Sequence, residues 1–313
     1  MAHSAGEAPD SAAPGLRRGR ARSAILWSLV GVALVVAAVR IILRSHALEP
    51  AHEALRAAPW WIFAAMVGLP LLNLLLTSAT FQVLTNRYGR VGFVEMSALI
   101  AGSWLFSFVG MFGRIAYHRA IHGVPVRASV LVLVQALGCS FAGVLVLLGL
   151  ALLVRRAGLG DAATTSVIAI PPTALLAAAG VMRARDPSAH AWRWPAALAL
   201  RYLDMAAWAA RYLLLFTVLS RGVSVAEAAG FAAAAQVAML VPIQIGLREW
   251  VIGLLGAGLG VAPEPSLADS LGPGLLVDLI NRAAELAVAI PLGVAAAVWL
   301  GVRWKAARPR PTR

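Results

Sequence analysis

The sequence predicts an all-α fold, a polytopic membrane helix bundle, and three observations predict it. Of its 313 residues 60% are hydrophobic and 13% charged, with mean hydropathy +0.80, whereas a soluble domain is about one-quarter charged. Several runs approach or exceed the ~20 apolar residues that cross about 30 Å of hydrocarbon. The net charge of +13 lies mostly in short loops and tails, the pattern of basic loops facing anionic lipid. No basic-aromatic module accompanies it, so no nucleic acid is expected as a partner. Cys139 is the only cysteine, which excludes an intrachain disulfide and a Cys-based metal cluster.

Taken in order, residues 1–23 are rich in Ala, Ser and Arg and read as a disordered basic cytoplasmic tail. A single integral membrane domain follows over 24–304, and 305–313 is a second basic cytoplasmic tail. The first span is Ser23–Leu43. It is longer than a signal-peptide core, and Arg40 and Arg44 stand where a cleavage site would need small residues. Residues 44–58, with His46, Glu49, His52, Glu53 and Arg56, read as a solvated loop; His52-Glu53 has no second His at helical spacing to make a zinc site. Trp60 and Trp61 mark an interface, and Trp60–Phe81 is the second span. Its Asn73, Thr77 and Thr80 share a helical face suited to interhelical hydrogen bonds.

Val91–Phe112 is long enough to span but is broken by Gly and Ser and carries Glu95. It runs into Gly110–Pro125, where Arg114, His118, Arg119 and His122 interrupt an apolar context. An arginine at mid-depth costs roughly 2.5–3.5 kcal/mol on insertion scales. This stretch therefore lies outside the bilayer or lines a wet pocket, and it reads as the cytoplasmic rim of a re-entrant hairpin. Residues 128–154 and Thr164–Met182 are spans, the latter with a kink expected at Pro171-Pro172. Trp192 and Trp194 anchor the next span, Pro195–Leu219, whose Arg201, Asp204 and Arg211 share a face that should point into the bundle. Residues 223–241 are Ala-rich and lead into P-I-Q-I-G-L-R-E-W, Pro242 to Trp250. A Gly/Pro loop is expected through Pro273. The last span, Leu275–Leu300, carries Asp278, Arg282 and Glu285 at i, i+4, i+7.

Charge counting separates two layouts. With 92–112 and 226–255 re-entrant and six full spans, 17 Lys and Arg fall inside and 7 outside, Arg201, Arg211 and Arg282 being within spans. With eight full spans the split is 14 to 10. The positive-inside rule favours six full spans plus two re-entrant hairpins, with both termini cytoplasmic. Span, hairpin, span then occurs twice in opposite orientation, the inverted-repeat layout common in transporters.

The stretch G-M-F-G-R-I-A-Y-H-R-A-I-H-G, through Gly110, Arg114, Tyr117, Arg119, His122 and Gly123, resembles the hairpin-and-basic-loop signature of the lysylphosphatidylglycerol synthase transmembrane-region family, also called flippase-like. Pro242, Gly246, Arg248 and Glu249 resemble its P-x-x-x-G-x-R-E segment, with Gln244 where a glycine is usual, and Asp278 and Arg282 stand where the family has a late charged helix. The resemblance covers residues 60–300. It implies a module of the bacterial inner (plasma) membrane that moves or presents a polar lipid, anionic or amine-bearing, across the bilayer.

In that reading Arg114, His118, Arg119, Arg248 and Glu249 bind the lipid head group. Arg201, Asp204, Arg211, Asp278, Arg282 and Glu285 line an intramembrane polar path. Gly110, Tyr117, Gly123, Pro242 and Gly246 are structural. The expected partner is a membrane phospholipid or glycolipid. The competing class is a non-transporting scaffold for an envelope-lipid biosynthetic enzyme. No nucleophile–base pair, metal spacing or phosphate-cradling loop points to an enzyme, a metal or another cofactor.

Overall fold

The computed structural model describes residues 29–30, 32–45, 47–219, 221–238, 246–259 and 266–307, and among them it is all-helical, without strands. Pro242 and Gln244 and both terminal tails up to 28 and from 308 lie outside the described residues. In chain order the helices are α1 (32–44), α2 (Leu48–Ala57), α3 (Trp60–Thr85), α4 (Phe93–His122), α5 (Val126–Arg156), α6 (Asp161–Arg185), α7 (Arg193–Val218), α8 (Val225–Ala238), α9 (Leu247–Gly258) and α10 (Leu267–Ala307). By length and composition α3, α5, α6 and α10 can each cross a membrane. At 1.5 Å per residue α3 is about 39 Å long. α7 has the same 26 residues but holds Arg201, Asp204 and Arg211 within them.

Side chains are distributed as a membrane demands. Large apolar groups face outward, among them Leu145, Leu152 and Leu153 of α5, while Asp204, Arg211, Arg248 and Asp278 are buried. A soluble protein would bury the first set and solvate the second. In lipid the ionised groups turn to the bundle interior.

α4 doubles back on itself. Tyr117 Oη donates to Glu95 Oε1 at 2.7 Å, and His122 Nε2 lies 3.2 Å from the same oxygen. Residues 95 and 122 of a straight helix would be about 40 Å apart. The reversal lies between Ser103 and Gly110, where Ser103 Oγ donates to the Gly110 carbonyl at 3.2 Å. A Cβ on Gly110 would stand 2.5 Å from Ser103 Cα, so only glycine allows the two limbs to meet backbone to backbone. The second limb ends at Gly123, whose φ of 64° suits a left-handed cap. Val124 N then donates back to the His118 carbonyl at 3.2 Å, and Pro125 opens α5.

Contacts sort the remaining ends. At the near end, the base of the α4 hairpin meets the end of α10 through Arg303–Glu95 at 3.3 Å and Trp304 against Tyr117. There Arg193 at the start of α7 donates to the Val83 carbonyl of α3 at 2.8 Å. The loop after α6 turns on Asp186, whose carboxylate accepts Ser188 Oγ at 2.6 Å and the amides of Ser188 and Ala189. The Ser188 hydroxyl first, then those amides, hold its carboxyl below the ordinary carboxylate range. At the far end, Arg155 pairs with Glu227 at 3.4 Å and Val225 N donates to Asp161. α5, α6 and α7 thus alternate in direction between the two ends.

α8 and α9 lie side by side and are each about half a bilayer long, with 14 and 12 residues. Phe231 approaches Gly256, and a Cβ on Gly274 of α10 would come 2.8 Å from Gly253 Cα. α8 buries most of its length against neighbours, and its alanines are what allow such close approach.

Two expectations are corrected. Residues 48–57 form a helix rather than a loop, because Leu48, Ala51 and Leu55 make one apolar stripe, and Glu49 and Arg56 suit the dipole at its two ends. The described part of the Gly/Pro stretch, from Leu267 through Pro273, is likewise helical: α10 begins at Leu267 and carries Pro273 and Pro291 inside it, packed against α9, as buried helices in membranes tolerate. α6 similarly carries Pro171 and Pro172 within its span.

Candidate functional site

One stripe of α3 organises the polar interior. Asn73, Thr77 and Phe81 follow at intervals of four residues, so they stack along one face, one turn apart. Each holds a charged side chain. Phe81 carries the Arg114 guanidinium 4.1 Å from its ring centroid. Thr77 accepts from Arg201 Nη1 at 3.0 Å. Asn73 donates to Asp204 Oδ1 at 2.7 Å and accepts from Arg211 Nη1 at 3.3 Å.

From there the network crosses to α10 and α9. Arg201 Nη1 reaches Asp204 Oδ2 at 2.6 Å, and its Nε donates to Ser140 of α5 at 2.8 Å. Arg211 Nη2 donates to Glu285 Oε1 at 2.6 Å. Arg248 Nη1 reaches both Glu285 oxygens at 3.2 and 3.1 Å, and its Nε donates to Asp278 Oδ2 at 2.9 Å. Tyr212 Oη completes Asp278 at 2.6 Å. Arg282 stands 3.6 Å from Glu285. The Trp208 ring faces Arg211 and Arg248, 4.3 and 5.4 Å from its centroid. Along α7, Arg201 to Arg211 spans about 15 Å.

The six residues expected to line a polar path therefore meet in one cluster of hydrogen bonds and ion pairs. Arg248, expected at a head group, belongs to this cluster too and is 1% exposed. The expected local partners differ in part. Arg201 and Asp204 pair, as their spacing allows, but Asp278 pairs with Arg248 of α9. Four arginines meet three carboxylates, so the cluster carries an excess positive charge.

The arrangement is closed. A cavity of ≈ 10 Å³, room for about one water, adjoins it between Met66, Arg211, Leu214, Leu215, Asn281 and Ala284. Two buried donors, Arg248 Nη2 in the cluster and Nδ2 of the cavity-lining Asn281, have no hydrogen-bond partner. The three carboxylates of this cluster are each paired with an arginine.

The other named residues divide. Glu249 accepts from Gly246 N at 3.0 Å and so caps α9, where Gly246 adopts φ 91°. Arg114 and His118 are buried one helical turn apart on the second limb of α4, while Arg119 is exposed and stands apart from them. Glu95, with Tyr117, His122 and Arg303 around it, ties the hairpin base. Gly110, Tyr117, Gly123 and Gly246 occupy turns, caps or close approaches.

Sequence reading had named neither Glu95, Tyr212, Trp208, Asn281 nor Arg303 as a site residue. Tyr212 and Trp208 had a signal: they flank Arg211 at i+1 and i−3 inside the same helix. Arg303 had none, since it reads as a tail residue. No group of three or more His, Cys, Asp or Glu suited to a metal ion occurs among the described residues.

The fold and its inward-facing charges define a helical bundle with several membrane-crossing candidates. No family model matches the chain, nor does any curated protein or solved structure.

Proposed function

We propose that this chain is a multi-pass membrane protein that translocates or presents a polar lipid head group across a bacterial inner membrane, in the manner of the flippase-like family its two motifs resemble. The observation that carries the reading is the unbroken buried network from Arg201 to Asp278. Ionised groups are expensive at mid-depth and are retained there for pathways and relays. In this reading α1, α3, α5, α6, α7 and α10 cross fully. The α4 hairpin enters from the near end and α8–α9 from the far end, an inverted layout. The near end is cytoplasmic: Arg87, Arg90, Arg119, Arg127, Arg183, Arg185, Arg303 and Lys305 are all exposed there.

The closed cluster is the resting barrier. A head group advances by exchanging with the carboxylates that hold Arg211 and Arg248, so those arginines stay paired with an anion throughout. The test is head-group movement in proteoliposomes made with dansyl- or nitrobenzoxadiazole-labelled phosphatidylglycerol and phosphatidylethanolamine. Parent protein should expose labelled lipid to an external quencher, and Arg211→Gln and Arg248→Gln should not. Movement equal to that of empty liposomes in the parent would refute the reading.

The scaffold reading has one observation in its favour. All three cluster carboxylates have arginine partners, as a purely structural lock would have. It predicts a stable co-purifying enzyme and no translocation by the isolated chain.

A further inference from the structure

Arg114 differs from every cation of the central cluster. Its side chain is 8% exposed, yet among the described residues no carboxylate pairs with it. The nearby acids are committed elsewhere: Glu95 to Tyr117, His122 and Arg303, Asp204 to Arg201 and Asn73. What Arg114 does have is the Phe81 ring at 4.1 Å, a contact that orients a guanidinium without neutralising it.

One turn further along the same limb stands His118, 3% exposed, with Nδ1 buried and unpartnered. A buried cation without a paired carboxylate and a buried, unpartnered ring nitrogen on one face suit a negatively charged hydrogen-bond acceptor. Amine-bearing chemistry does not fit there: an ammonium would meet a like charge with no acid to hold it.

We propose that Arg114 and His118 form a binding site for a phosphate-class oxyanion, which supplies the counter-charge the fold omits. Guanidinium–phosphate pairing is geometrically apt, since two parallel N–H groups face two oxygens. Arg114 lies about 12 Å along the limb from the hairpin base at His122, with His118 between them. On α3 it sits one turn toward the near end from Thr77, which holds Arg201. An anion bound at Arg114 is therefore next to the first cation of the central cluster. The inference deepens the lipid reading by choosing an anionic head group over an amine, and it rests on that reading only for the lipid source of the oxyanion.

The test uses the full-length chain in dodecyl maltoside, a phosphate-free detergent. Probes are phosphatidylglycerol, diacylglycerol with the same acyl chains, and inorganic phosphate, with binding read by native mass spectrometry and thermal shift. Parent protein should bind phosphatidylglycerol at least tenfold tighter than diacylglycerol. Arg114→Gln should lose that preference, Arg114→Lys should keep part of it, and His118→Phe should weaken it severalfold.

Thermal shift separates binding from structure. Without lipid, Arg114→Gln should melt no lower than parent, because it removes an uncompensated buried charge; with phosphatidylglycerol only parent should gain. Binding of inorganic phosphate alone, lost in Arg114→Gln, supports the site with a free anion as its source. Equal binding of phosphatidylglycerol and diacylglycerol with no response to phosphate, or unchanged anion binding in a folded Arg114→Gln, overturns it. Intact binding with no movement in proteoliposomes would sink the translocation reading and leave this site standing.

Discussion

Replacing Glu285 with glutamine is the sharpest perturbation of the central cluster. Its carboxylate is shared by Arg211 at 2.6 Å, Arg248 at 3.1 Å and Arg282 at 3.6 Å. The amide keeps the shape but removes the charge, leaving four arginines against Asp204 and Asp278. Arg211 then has no acid partner, although it is 3% exposed. Breaking one side of a buried ion pair costs about 3–5 kcal/mol, and the shared position places Glu285→Gln at the upper part of that range. The assay is reversible unfolding in mixed micelles, followed by tryptophan fluorescence and circular dichroism. A partner variant, Arg211→Met, removes one of the stranded cations. In the double variant the loss should fall short of the sum of the singles by about 1–3 kcal/mol, the coupling expected of groups in one network. If Glu285→Gln unfolds within about 0.5 kcal/mol of the parent, as a surface substitution would, the cluster is hydrated and the argument from buried charge fails.

The remaining predictions concern backbone approach, capping and orientation. Gly110→Ala and Gly274→Ala each place a Cβ against backbone, 2.5 Å from Ser103 Cα and 2.8 Å from Gly253 Cα. Each should cost about 1–3 kcal/mol by overpacking, whereas Gly113→Ala, with open space around it, should be neutral or slightly stabilising in the same unfolding assay. Glu249→Ala should lose about 0.5–2 kcal/mol through the α9 cap, and Glu249→Gln should keep most of it because an amide oxygen also accepts from Gly246 N. Cys139 is buried, so a Cys139→Ala background suits single-cysteine labelling. Cysteines at Arg90, Arg127 and Lys305 should label from one side of sealed vesicles and those at Arg56, Arg156 and Arg221 from the other. Labelling of both sets from one side would refute the orientation of the bundle.

Much of the helical frame was legible because burial in lipid writes itself as length and hydropathy. α3, α5 and α6 needed only run length, and the charges inside α7 and α10 announced an inward face by their cost. The partners of those charges were not legible. Local spacing suggested Asp278 with Arg282, whereas Asp278 meets Arg248 thirty residues upstream; pairing across helices depends on packing, which periodicity does not encode. α2 was missed for a related reason. Three charged residues and a histidine lie among its ten, and the burial of Ala51 becomes decisive only once α1 and α10 offer a surface to cover. The end of α10 was missed because a basic C-terminal stretch reads as tail, while Arg303 and Trp304 clasp the hairpin through Glu95 and Tyr117.

The hairpin of α4 and the pair α8–α9 are alike in plan and opposite in chemistry. Each brings a cation inward on its second limb, Arg114 on α4 and Arg248 on α9. Arg248 meets two carboxylates of α10 and is neutralised in place. Arg114 meets the Phe81 ring, and no carboxylate among the described residues pairs with it. A fold that needed its cations only as anchors would have neutralised both, since an unpaired buried charge lowers stability without adding a contact. The asymmetry is explained if one cation is held ready and the other is held shut. In the proposed lipid reading, an anion at Arg114 would have Arg201 and Arg211 of α7 and Arg248 of α9 beyond it, each held by a carboxylate that the anion would have to replace.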